Sequence, residues 1–157
     1  MPATVYIETT VISYLTARKS RNLVVAAHQA ITRNWWKSRR RGFDLYCSQA
    51  VIREAKAGDK RAAAKRLAAL EDIPLLEINE SAKQLASALV EVAKLPKRAT
   101  EDALHIALAA AHGMDYLLTW NCKHIANAEI RNIVAAVSYE HGYGAPVICT
   151  PEELMGD

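Results

Sequence analysis

The chain has 157 residues, enough for one domain with a buried core. Its composition, 51% hydrophobic and 24% charged, is that of an ordinary globular protein and excludes a disordered, collagen-like or low-complexity chain. Twenty basic against seventeen acidic residues leave a formal charge of +3, a balance that permits a polyanionic partner without demanding one.

Val5-Tyr6-Ile7 is a short β-branched and aromatic run that predicts a buried first strand, followed by a helix that starts at once through Val11 to Leu15. Residues 22 to 40 predict a long helix with Leu23, Val24, Ala27, Ile31 and Trp35 as its stripe, and a basic end that Gly42 stops. Residues 43 to 47 predict a second strand, and Ser48 the N-cap of the next helix. An Ala-rich helix is expected over residues 60 to 70. Residues 73 to 78 form a third strand candidate, with Pro74 pointing to a sheet edge or a strand start. A helix over residues 81 to 94 comes next, then one from Glu101 to about His112 capped by Thr100. A fourth strand covers residues 116 to 119. A short helix near Lys123, a longer one over residues 128 to 140 and a last strand at residues 147 to 149 complete the pattern.

Short strands, apolar on both faces, alternate with helices throughout. That is the pattern of an α/β domain with a parallel sheet covered by helices on each side. No internal repeat or linker appears, so residues 1–157 are expected to form a single domain.

The three cysteines, Cys47, Cys122 and Cys149, are odd in number and form no close pair, which fits a reducing compartment. Met1-Pro2-Ala3-Thr4 lacks the basic and long apolar regions of an export signal. No stretch reaches the roughly 18 apolar residues that span a bilayer. A cytoplasmic protein without membrane association is expected.

Ligands of open α/β sheets bind at the carboxyl ends of the strands. Glu8 directly follows the first strand, and Asn121 lies two residues past the end of the fourth. Glu54 sits early in the helix after the second strand, and Asp102 in the first turn of the helix before the fourth. Three carboxylates and an amide from four segments are thus expected on one rim. Crowded carboxylates resist ionising together. A divalent cation such as Mg²⁺ or Mn²⁺, which prefers oxygen ligands, removes that conflict and supplies the means to activate water on a phosphodiester. Each residue also has a plainer role available. Glu8 and Asp102 suit a helix dipole, Glu54 could pair with Lys56 or Arg53, and Asn121 could simply turn the chain.

At these positions the sequence resembles the PIN-domain family. Tyr6-Ile7-Glu8-Thr9-Thr10-Val11-Ile12 is similar to its opening motif, residues 48 to 54 to its second, Asp102 to Ala107 to its third, and Leu117-Leu118-Thr119-Trp120-Asn121 to its fourth. The similarity is greatest to the VapC-like branch, the toxins of bacterial and archaeal toxin–antitoxin pairs. The resemblance implies a three-layer α/β/α sandwich with a central, mainly parallel sheet. It also implies a Mg²⁺- or Mn²⁺-dependent endoribonuclease, homodimers and an inhibiting antitoxin partner. Two positions depart from the family pattern. The first acidic residue is usually Asp and is Glu8 here, and the fourth motif, usually acidic, offers the uncharged Asn121. A fold that binds RNA or a protein without cutting is therefore the alternative reading.

Thr9, Thr10 and Thr119 flank the proposed ligands and could orient water or stabilise turns. Trp35-Trp36 beside Arg39, Arg40 and Arg41 could contact RNA, or could be a core tryptophan followed by a solvated helix end. His105, three residues after Asp102, shares its helix face and could approach substrate or pack. Ala107 to Ala111 could serve a dimer interface or the core. Cys122-Lys123-His124 matches no common zinc spacing. Hydrolysis by water rather than by the ribose 2′-hydroxyl would leave a 3′-hydroxyl and a 5′-phosphate.

Overall fold

Val5, Tyr6 and Ile7 are wholly buried, and they form the centre of a five-stranded sheet. The computed structural model describes residues 1–156; Asp157, the last residue of the expected domain, lies outside the described residues. The elements in chain order are β1 (Ala3–Ile7), α1 (Thr9–Thr16), α2 (Leu23–Ser38), β2 (Phe43–Ser48), α3 (Gln49–Ala55), α4 (Lys60–Leu70), β3 (Leu75–Leu76), α5 (Glu80–Ala93), α6 (Thr100–Ala111), β4 (Tyr116–Leu118), α7 (Ala128–Glu140) and β5 (Val147–Cys149).

Every strand pairing is parallel, and the order is β3-β2-β1-β4-β5. The chain builds outward from β1 through β2 to β3, then crosses back to place β4 on the other side of β1. The direction of winding therefore reverses between β1 and β4, which is where open α/β sheets place their ligand crevice. Helices α1 to α4 pack among themselves, as do α5 to α7, and together they flank the sheet. The expected parallel sheet is thus parallel throughout.

Several local expectations meet a competing interaction. The predicted stripe of α2 fails at its start, where Leu23 and Val24 are largely exposed; the buried side chains are Gln29, Thr32 and Trp35. Gln29 and Thr32 can be buried because both are satisfied. Gln29 donates to the Arg18 carbonyl and accepts from Ser20 N–H, and Thr32 donates to the His28 carbonyl. The third strand shortens to Leu75–Leu76 at the sheet edge, directly after Pro74, which has no N–H for a ladder. Thr100 does not cap α6; its hydroxyl donates to the Lys97 carbonyl in the preceding turn. The helix expected near Lys123 is a turn in which the Ile125 and Ala126 N–H groups donate to the Asn121 carbonyl.

Tight packing against α6 explains its alanines: Ala103, Ala107, Ala109 and Ala110 are buried within the chain itself. Gly113, at φ +67°, ends that helix in a conformation that side chains disfavour. Cys47 and Cys149 are buried free thiols, and burial pushes their pKa values up to about 11 and about 12. Both therefore stay protonated and serve as small core residues. Cys122 is free and exposed. No helix among the described residues is long and apolar enough to cross a membrane.

Candidate active site

Strand register sets the centre of the site. Ile7 pairs with Leu118, so the next residues, Glu8 and Thr119, leave neighbouring strands side by side. Glu8 N–H still donates to the Leu118 carbonyl at 3.1 Å, and Thr119 N–H to the Cys149 carbonyl at 3.0 Å. Ladder hydrogen bonds therefore hold both residues after the strands have ended.

Glu8 is the N-cap of α1 and only 2% exposed. Its Oε1 accepts the Thr119 hydroxyl at 2.7 Å, the Thr10 N–H at 3.1 Å and the Thr10 hydroxyl. The extra methylene of glutamate is taken up by this turn back over its own helix. Its Oε2 has no hydrogen-bond partner among the described residues. Burial pushes the Glu8 carboxyl above the usual range, while His105, Thr10 and Thr119 pull against it.

Glu54 lies in the last turn of α3, not early in the helix as the sequence suggested. Its Oε1 accepts the Thr9 hydroxyl at 2.6 Å and lies 2.6 Å from His105 Nε2. Burial opposes its charge, but His105 and Thr9 outweigh burial and hold the carboxyl below its ordinary value. Ser48 does not cap α3 through its side chain; its hydroxyl lies 2.7 Å from the Tyr6 hydroxyl.

His105 is the residue that sequence reasoning undervalued. It is fully buried, so it packs, but it packs into the acidic cluster. Its Nε2 meets Glu54, and its Nδ1 lies 2.7 Å from the Tyr6 hydroxyl. Burial lowers its pKa, yet Glu54, Glu8 and Asp102 together hold it above the ordinary value. In the charged imidazole both nitrogens donate, one to Glu54 and one to the Tyr6 oxygen, and the Tyr6 O–H is then free to donate to Ser48. Candidate ligand atoms of Glu8, Glu54 and His105 lie within 4.8 Å of one another. The signal available in sequence was its three-residue spacing from Asp102.

Asp102 is in the first turn of α6, as expected. Burial raises its pKa, the Asn121 amide and the two histidines 105 and 124 lower it, and the nearby Glu54 charge raises it further. Asn121 Oδ1 accepts the His124 N–H at 3.1 Å, and its own N–H donates to the Thr119 hydroxyl at 2.9 Å. The Asn121 oxygen is thus engaged in the turn.

Glu8 and Glu54, with Thr9, Thr10 and Thr119, therefore come together beside His105 at the carboxyl ends of the strands; Asn121 joins through Thr119, and Asp102 lies near enough to act on His105 and Glu54 but outside the ligand atoms grouped within 4.8 Å. Arg39, Arg40 and Arg41 do not join them. They immediately precede β2, which runs parallel to β1, so they lie at the opposite edge of the sheet. There Arg40 stacks over Trp36, with its guanidinium 4.1 Å from the ring centroid, and Arg39 lies over Phe43. Trp35 is fully buried, as one of the tryptophan pair was expected to be.

This is an acidic, partly desolvated cluster at the switch point of a parallel sheet. The PIN domain family pattern matches residues 5–139, and the chain belongs to that family. Among solved structures, a chain of VapBC2 from Rickettsia felis, crystallised bound to a DNA fragment from their promoter, is similar at 14% identity with a TM-score of 0.60; the match covers 94% of this chain and 98% of that one. A chain of VapBC-5 from Mycobacterium tuberculosis, a member of the VapBC family of toxin-antitoxin systems, is similar at 14% identity with a TM-score of 0.51, covering 95% and 98%. Such identities establish a shared fold. No curated protein matches the sequence.

Proposed function

We propose that the protein is a Mg²⁺- or Mn²⁺-dependent endoribonuclease that hydrolyses RNA phosphodiester bonds, and that it is the toxin of a toxin–antitoxin pair. The observation that carries this reading is the meeting of Glu8 and Glu54 with His105 within 4.8 Å at the strand ends, with Asp102 close enough for its charge to act on His105 and Glu54. PIN domains are generally nucleases, and the structural likeness to VapBC chains favours a toxin with an antitoxin partner. A cytoplasmic homodimer completes the reading.

The donor set fits a hard divalent cation. Glu8 and Glu54 each commit Oε1 to protein donors and leave Oε2 without one among the described residues. Asp102 adds a third carboxylate whose charge is held back by burial and by Glu54. His105 has both ring nitrogens occupied, so it positions Glu54 and is not itself a ligand. Asn121, its oxygen held by the His124 N–H, stands beside this set as the neutral fourth member. When bound, the cation would supply activation of water and neutralisation of phosphodiester charge. Thr9, Thr10 and Thr119 fix the carboxylates that would hold it.

One observation favours a second reading, a fold that binds RNA or a protein without cutting. The fourth motif contributes an amide in place of a charge, which lowers the negative charge available to the metal. Incubation of a mixed RNA panel with Mg²⁺ or Mn²⁺, beside EDTA and Asp102→Asn controls, separates the two. The nuclease reading predicts products with 3′-hydroxyl and 5′-phosphate ends, absent from both controls. Products ending in a 2′,3′-cyclic phosphate, or no cutting by folded protein freed of any partner, would contradict it.

A further inference from the structure

Beside the acidic cluster lies a group of aromatic rings that the proposed chemistry does not use. Trp120 sits in sequence between Thr119, which binds Glu8, and Asn121, whose N–H donates to the Thr119 hydroxyl. Two hydrogen bonds fix it: its backbone N–H donates to the Thr10 hydroxyl at 2.8 Å, and its indole N–H to the Thr32 hydroxyl at 2.7 Å. His28, on α2, stacks on Trp120 with centroids 4.0 Å apart and planes 12° apart. Tyr14, on α1, is near-parallel to both rings, 6.1 Å from Trp120 and 6.3 Å from His28.

These distances define the shape. A third ring continuing the column would sit near one partner and about twice as far from the other. Tyr14 is almost equidistant, so it flanks the pair. The outer face of His28 is therefore uncovered by any ring among the described residues. Trp120 is buried, whereas His28 and Tyr14 are only half-buried. The platform is also close to the chemistry, because the Thr10 hydroxyl that receives Trp120 N–H donates in turn to Glu8.

We propose that this platform binds an unpaired base of single-stranded RNA, stacked on the outer face of His28 and edged by Tyr14, next to the phosphodiester at the acidic cluster. The proposal rests on the ribonuclease reading and adds a substrate requirement to it: a flexible, unstacked strand. Aromatic side chains take any base on their π-faces, and recognition of RNA at unpaired positions uses this contact widely. The basic run at Arg39 to Arg41 lies at the far edge of the sheet and offers nothing here.

The test is steady-state cleavage of a short single-stranded RNA by the His28→Leu and His28→Phe proteins, with thermal unfolding measured in parallel. Leucine can fill the space over Trp120 but has no π-face; phenylalanine restores one. The same substrates are made with a single abasic position walked across the cut site. Loss of one stacked base should raise the KM of the leucine variant about 5- to 100-fold, with kcat and melting temperature close to those of the parent. Phenylalanine should restore KM. At one abasic position the parent should lose the same factor, and the leucine substitution should then add nothing. An unchanged KM in the leucine variant would overturn the platform, as would an equal effect at every abasic position or a loss confined to kcat and stability. Failure of the parent protein itself to cut would instead overturn the ribonuclease reading beneath it.

Discussion

At the scale of single residues, His105 and Glu54 form the closest charge pair of the site, 2.6 Å apart. Each partner favours the other's ionised form, and the signs follow. The raised His105 pKa contributes stability that is complete below about pH 6.5 and is lost as pH rises through the folded value. The depressed Glu54 pKa contributes stability that is present above about pH 4.5 and is lost as pH falls through its folded value. Glu8 and Asp102, whose values are raised, lose their contribution as pH rises from the ordinary carboxylate values of 4.5 and 3.8 through their folded ones, so His105 carries the decline expected above about pH 6.5. Metal-free protein is therefore expected to melt at a higher temperature near about pH 6 than near about pH 8. The His105→Gln protein, which cannot ionise, should show a shallower decline across that interval. A steeper or unchanged decline, measured by thermal unfolding in EDTA, would show that His105 does not carry it.

At the scale of elements, the site depends on where helices begin. α1 starts immediately after β1 because Glu8 caps it, and α6 delivers Asp102 from its first turn while sending His105 inward one turn later. The anchor of α6 is apolar: Ile106 is almost wholly buried beside His105. Ile106→Ala is expected to cost about 2–5 kcal/mol, read as a lower denaturation midpoint. The folded fraction should keep its site, since the first turn of α6 is untouched. Loss of the site with no loss of stability would contradict this division of labour.

The elements also show what the sequence could convey. The strands were legible because Val5 to Ile7, Leu117 and Leu118 are apolar on both faces of a fully covered sheet. Ser48 and Thr100 were misleading because their hydroxyls serve competing partners, Tyr6 and the Lys97 carbonyl, and nothing local distinguishes those from caps. Glu8 and Asn121 were legible as positions just after strands and Asp102 as a first-turn residue, whereas Glu54 lies a full helix beyond its strand, in the last turn of α3. The pairing of His105 with Glu54 was not legible, since it joins residues 51 apart through tertiary packing. Nor could spacing reveal that Asn121 Oδ1 is engaged by His124 N–H.

At the scale of the whole molecule, the order β3-β2-β1-β4-β5 does most to create function. It brings residues from both halves of the chain to the carboxyl ends of β1 and β4, and it sends Arg39, Arg40 and Arg41 to the other edge. A fold of this kind gathers carboxylates that are unfavourable together, and on the proposed function a cation would resolve the conflict. Calorimetric titration of Mn²⁺ into the folded protein, beside its Asp102→Asn variant, tests this most directly. Saturable binding by the parent that is strongly weakened in the variant is the expected result. A parent protein that takes up no Mn²⁺ at millimolar concentration, or a variant that binds it equally well, would contradict the assignment of Glu8, Glu54 and Asp102 as a metal site.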